Sequence, residues 1–130
     1  MIYWLIVLSV TWFILLRYIM PRFYIVSGES MIPTLYPNNI VICLKLHPLT
    51  PLKKTHIYGY CLPWNKKKWV IKRLSYFQGN DCFFEGDNVS NSIDSREYGL
   101  INRKYIKFKV YWCFKGLYKG EEKREDEIYL

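Results

Sequence analysis

KYIKFKVYW, residues Lys104–Trp112, alternates along its length. Ile106, Phe108 and Val110 fall on one side of an extended chain, Lys107 and Lys109 on the other. Period-2 alternation is the mark of a strand with one face packed and one face wet. The same grammar recurs upstream in FYIV, NIVICLKL, HIYGYCL and KWVIKRLSYF, short β-branched or aromatic runs punctuated by Pro, Gly and Asn. Turns are expected at Tyr36–Asn39 and Pro48–Pro51. Past Pro21 no run of ten residues carries a 3.6-residue period, so a mostly-β domain is expected.

The chain opens differently. MIYWLIVLSVTWFILL, Met1–Leu16, has no charged side chain, and Arg17 follows before Pro21. Sixteen helical residues rise about 24 Å and twenty about 30 Å, the thickness of a hydrocarbon core. The run therefore spans only if Arg17 snorkels to the interface. The opening lacks a basic n-region and a small-residue cleavage site, which argues against a removed signal peptide. The expectation is one retained transmembrane helix over residues 1–21, a β domain over 22–112 and a charged, exposed tail over 113–130. Arg17 and Arg22 follow the span, which by the positive-inside rule favours a cytoplasmic domain.

A length of 130 residues, 51% of them hydrophobic, suffices for one small core and makes disorder unlikely as a default. The net charge of +8 suits a cationic surface or an anionic lipid. Nucleic acid is not expected: the lysines of NKKKW come with no zinc-finger, helix-turn-helix or RNA-binding pattern. Cys43, Cys61, Cys82 and Cys113 form no CxxC pair, so neither a metal site nor any other cofactor is expected. Free, buried thiols are the plain reading, with two disulfides open to an extracytoplasmic domain.

Chemistry is concentrated in three polar knots. SGESMIPTL, Ser27–Leu35, holds two serines close behind the apolar opening. A serine nucleophile needs a proton acceptor, and the two histidines, His47 and His56, sit in ordinary turn contexts. A lysine serves instead when burial penalises its ammonium and lowers its pKa. WVIKRL, Trp69–Leu74, supplies one: Lys72 shares a face with Val70 and Leu74, while Arg73 reaches solvent on the other. The local pattern equally fits an edge-strand lysine with its ammonium in water. GDNVSNSIDSREYG, Gly86–Gly99, places Ser92, Asp94 and Arg96 alternately on one side, as an ion-paired support or as a simple surface loop.

Taken together in this order, behind an apolar N-terminal segment, the three knots resemble the type I signal peptidases, membrane-anchored Ser–Lys endopeptidases, in a small form. The likeness runs from Val26 to Leu100. It implies a compact, coiled antiparallel β domain, Ser30 as nucleophile and Lys72 as general base. Ser92 would orient the base, with Asp94 and Arg96 as its supporting ion pair. Val26, Ser27, Gly28, Met31, Leu35, Val70 and Ile71 would line the substrate site. Substrate would add as a strand with small side chains at the first and third positions before the cut. The resemblance implies a signal peptide or precursor protein as partner, membrane lipid around the anchor, a homo- or hetero-oligomer as an option, and a domain on the translocated side, against the arginine placement. Gly28 stands where many bacterial relatives carry an oxyanion serine. Asn38-Asn39 and Gln78–Asp81 depart from the family's usual turns. Glu29 is expected to face away from Lys72, because a carboxylate there would raise the pKa of the base. Rival readings are a dedicated maturation protease acting on one precursor, a self-cleaving repressor-type protease, and a catalytically silent membrane-anchored binding module.

Overall fold

The computed structural model describes residues 1–115 and 128–129. Helix α1 (Ile2–Ile19) is followed by β1 (Arg22–Ser27), β2 (Ile40–Lys45), β3 (Ile57–Leu62), β4 (Asn65–Gln78), β5 (Asp81–Glu85), a one-turn helix α2 (Ser95–Tyr98), β6 (Ile101–Asn102), β7 (Ile106–Phe114) and β8 (Ile128–Tyr129). The strands form one sheet in the order β6-β5-β4-β3-β7-β2-β1-β8. Every pairing is antiparallel except β1 with β8, so the expected mostly-β antiparallel domain is present.

The five apolar runs become β1, β2, β3, β4 and β7. In β7, Ile106 and Phe108 are buried and Lys107 is exposed, as the alternation requires. The sheet curls, because β8 at one edge also lies against β4 in the middle. Curling gives it two buried cores. One gathers Val26, Met31, Leu35, Val41 and Ile71; the other gathers Tyr58, Tyr60, Val70, Leu74 and Phe84. Successive residues of a strand face opposite sides. The middle of β4 therefore serves both cores, Ile71 in the first and Val70 in the second. Asn39 N–H bonds the Tyr36 carbonyl at 3.1 Å, closing the turn before β2. Gly79, at φ 60°, makes the tight turn from β4 to β5, so the altered turn sequence there still turns.

Three expectations are corrected. Among the described residues no helix is long and apolar enough to cross a membrane. In place of a span over 1–21 stands an 18-residue helix, about 27 Å long. Its apolar side chains, from Met1 to Leu16, are exposed. The domain does not end at residue 112, since β7 runs on to Phe114. The tail is not uniformly loose either: Ile128–Tyr129 pairs in parallel with Val26–Ser27, while the rest of the segment past Lys115 lies outside the described residues. The strand β5 was hidden in sequence by its brevity, although Cys82 and Phe84 alternate inward as a strand should.

Beside α1 the sheet carries a second uncovered apolar surface. Phe23 pairs with Ile42 and Ile42 with Trp112; Ile25 pairs with Ile40 and Ile40 with Phe114. Paired residues share a face, and Phe23, Ile25, Trp112 and Phe114 are all exposed on it.

Candidate active site

Ser30 lies in the turn that follows β1, and Lys72 lies in the middle of β4. Two features of the sequence set the turn. Gly28 adopts φ 92°, a region L side chains avoid, and so redirects the chain as it leaves the sheet. Met31 and Leu35 then sink into the first core, with the Leu35 N–H bonded to the Met31 carbonyl at 2.9 Å. Ser30 is drawn inward with them. Across the cleft, Lys72 pairs with Tyr58 and sits on the same side of β4 as the buried Val70 and Leu74.

The two side chains meet. Lys72 Nζ is hydrogen-bonded to Ser30 Oγ, and each residue is 1% exposed. The edge-strand alternative for Lys72 is thereby excluded. Burial lowers the Lys72 pKa to about 8; Asp94 pulls it back up, and Arg96 offsets Asp94. A tenth or so of such lysines are neutral at pH 7, against fewer than about one in a thousand at the ordinary value. Among the described residues the Ser30 backbone N–H has no acceptor, so it is available to an oxyanion.

The third knot folds over the pair. The Asp94 carboxylate is fully buried and caps α2. It accepts from the Gly86 N–H at 2.8 Å, Ser92 Oγ at 2.7 Å, Arg96 Nε at 2.8 Å and Arg96 Nη2 at 2.5 Å. Burial opposes its charge, but these donors hold its pKa well below the usual carboxylate range. Here the structure differs from expectation over Ser92. Its hydroxyl donates to Asp94 Oδ2, which it shares with the Gly86 N–H and Arg96 Nη2, while Lys72 Nζ is bonded to Ser30. Val26, Met31, Leu35, Val70 and Ile71 are buried packing residues, whereas Gly28 is exposed and Ser27 half-buried. Val70 lines a cavity of about 290 Å³ together with Ser92, Lys68, Ile93 and Tyr98. Glu29 is exposed, its carboxylate bonded to Asn91 Nδ2 at 3.0 Å and so committed away from Lys72.

Sequence reading missed the brace between the knots. Arg73 does not simply reach solvent. It grips Asp87 through two parallel bonds, 2.7 Å from Nε and 2.6 Å from Nη2. Thr34 of the nucleophile turn joins them, bonded to both Asp87 Oδ2 and Arg73 Nη2. The fork and Thr34 hold the Asp87 pKa down against its burial. Asn88 closes the same junction: its backbone N–H reaches the Ser30 carbonyl at 2.8 Å and its amide the Glu29 carbonyl at 3.1 Å. Gly86 makes the approach possible, since a Cβ there would stand 2.1 Å from Ser92 Oγ and 2.6 Å from the Ser30 carbonyl oxygen. The signal for this was present in Gly86-Asp87-Asn88 but reads locally as a turn.

Cys43, Cys61 and Cys82 are buried and Cys113 exposed, all as free thiols. Burial pushes the Cys43 thiol up to about 12 and the Cys82 thiol to about 11, which makes both poor nucleophiles. No group of metal-binding side chains occurs among the described residues. Set beside known protein families and curated proteins, the chain matches no family model and no curated sequence.

Proposed function

We propose that this protein is a membrane-held serine endopeptidase that works through a Ser30–Lys72 dyad and resembles the signal peptidases in mechanism. The observation that carries this reading is the buried contact of Lys72 Nζ with Ser30 Oγ, at a lysine whose pKa lies at about 8. A lysine kept for solubility gains nothing from burial, and burying its charge is costly. A lysine that must be neutral beside a hydroxyl requires it.

In the proposed reaction, neutral Lys72 takes the proton from Ser30 Oγ as the oxygen attacks the scissile carbonyl. The Ser30 N–H receives the developing oxyanion. The carbonyl–nitrogen bond then breaks, and Lys72 returns its proton to the leaving amine. A water, deprotonated by Lys72, attacks the acyl ester; the bond to Ser30 Oγ breaks and the proton returns to Ser30. Asp94, neutralised by Arg96, helps define the field at Lys72 without bonding it. The substrate would be an extended polypeptide, because the side of β1 that β8 pairs only at Val26–Ser27 leads to Ser30. Small side chains before the cut, as in secretory precursors, suit a site whose neighbouring positions are filled by Met31, Leu35 and Ile71.

The membrane seat is part of the same proposal. The uncovered apolar side chains of α1 and the adjacent face of Phe23, Ile25, Trp112 and Phe114 would be covered by lipid. The seat needs lipid contact along the exposed helix and does not need α1 to cross the bilayer. Vesicle flotation tests the seat, and protease protection in sealed vesicles tests the side on which the domain lies. The activity test uses the full chain in detergent with a secretory precursor peptide carrying Ala-X-Ala before the cut. Cleavage at that bond is expected, and no cleavage of any secretory precursor would overturn the reading. Cleavage of one precursor only would identify a dedicated maturation protease.

A further inference from the structure

A cavity of about 730 Å³ lies away from the one beside Ser92 and Val70. It opens at the other end of β1, where Arg22 lines it, about 17 Å along the strand from Ser27. Its rim carries Arg22, Lys45, Arg103, Lys104 and Lys107, and no Asp or Glu among the described residues lines it. Its floor is aromatic: Tyr24 stacks on Phe108 at 4.8 Å between ring centres, and Trp69 on the same ring at 5.9 Å.

The rim is held in place before any ligand arrives. Arg103 donates its guanidinium to the Thr50 carbonyl and its backbone N–H to the Asn80 carbonyl, the latter at 2.7 Å. Asn102 accepts from the Lys104 N–H at 3.2 Å and donates to Asp81 at 2.8 Å, which occupies that carboxylate oxygen. Lys107 Nζ reaches back to the Lys104 carbonyl at 3.3 Å, which holds its ammonium beside the segment that carries Lys104. Fixing like charges together costs repulsion, and nothing in the proposed catalysis uses them.

We infer that this cavity binds the phosphate of an anionic phospholipid headgroup. Two observations favour that occupant over a free anion. Cations ring an apolar floor, which matches an amphiphile: phosphate at the rim, glycerol and first methylenes below. Arg22 comes two residues after Met20, the cap of α1, so the cavity begins where the chain leaves its apolar helix. Basic groups just beyond a membrane-seated helix are favoured by anionic lipid. The inference borrows from the proposed function only the membrane seat of α1.

The test uses the full chain in neutral lauryl maltoside micelles at near-physiological salt, with binding of phosphatidylglycerol compared with phosphatidylcholine. Phosphatidylglycerol is expected to bind more tightly by about tenfold or more. In R22Q/K104Q/K107Q that preference is expected to vanish. In K54Q/K66Q/K67Q, which removes the same charge elsewhere, it is expected to persist, with thermal unfolding confirming that both variants fold. Equal loss in both variants would reduce the effect to net charge and overturn the site. Displacement by millimolar inorganic phosphate, or tighter binding of a short RNA at these residues, would assign the cavity to another ligand and overturn it as well. Ser30→Ala is expected to keep the lipid preference, so this inference and the catalytic one fail separately.

Discussion

Lys72 Nζ rests against Ser30 Oγ, 42 residues distant along the chain, with both side chains sealed from solvent. The pairing makes each residue necessary for a different reason. Ser30→Ala removes the attacking oxygen, and Lys72→Met removes the base while keeping the stem that fills the space. Each is expected to lower kcat by about 10³-fold or more with little change in KM. Single-turnover kinetics on a precursor peptide would check this. Activity retained in either variant would end the dyad.

Activity is expected to rise with pH through about 8, where Lys72 loses its proton, and then level off. The sign follows from the neutral lysine being the active form. A profile of kcat/KM that is flat between pH 6 and 10 would count against a lysine base.

The lowered pKa also predicts a stability effect. Unfolded Lys72 titrates near 10.5 and folded Lys72 near 8, so below pH 8 the native state carries a charge it poorly solvates. At ~1.4 kcal/mol per pH unit the cost is about 3 kcal/mol, and it fades as pH rises from 8 to 10.5. Lys72→Met is therefore expected to be more stable than the native protein at pH 7, by about 2 kcal/mol after the lost hydrogen bond. The advantage should shrink by pH 10. Comparing the two proteins matters, because Cys43 and Cys82 move the other way. Their folded pKa values are raised, so their contribution is lost above pH 9 in both proteins. Urea unfolding at pH 7 and pH 10 would measure the difference.

The brace between the knots predicts coupling. Asp87→Ala leaves the half-buried Arg73 fork without its carboxylate and frees Thr34, at an expected cost of about 2 kcal/mol. Arg73→Met combined with Asp87→Ala should cost less than the sum of the two, since no unpaired charge remains. Gly86→Ala should be worse than Gly79→Ala. At Gly86 a Cβ meets Ser92 and the Ser30 carbonyl, whereas at Gly79 it meets open space and only the positive φ resists it. Equal losses at the two glycines would show that Gly86 is not a packing constraint.

These cases mark what a sequence reveals and what it hides. The strands were legible because alternation in KYIKFKVYW and WVIKRL is a local consequence of burying one or both faces. Lys72 was not decided by its own run, which fits an edge strand equally well; the three knots taken together in order singled it out. The Arg73–Asp87–Thr34 brace was hidden, since each member is ordinary where it stands and only the fold brings Thr34 within reach of a residue 53 positions on. Ser92 was assigned to the wrong partner for a related reason. Spacing puts it on one side with Asp94, but hydrogen-bond geometry decides which acceptor its hydroxyl meets.

The last prediction concerns the edge of β1. Ile128–Tyr129 pairs in parallel with Val26–Ser27, at the stretch of backbone that leads into Ser30. A substrate that adds as a strand on that side needs the backbone groups of Ser27, since those of Val26 are bonded to Asn38 and Asn39. The C-terminal strand and the substrate would then compete, and tethering gives β8 the advantage of a high effective concentration. A two-residue strand is a weak competitor, so its removal should matter modestly. Deleting residues 128–130 is expected to lower KM by about three- to tenfold while leaving kcat unchanged, because Ser30 and Lys72 are untouched. A peptide with the sequence of the removed segment, added at millimolar concentration, should partly restore the higher KM. If the shortened chain stays folded yet KM does not fall, then substrate does not use the β1 edge, and the approach to Ser30 must run along another face.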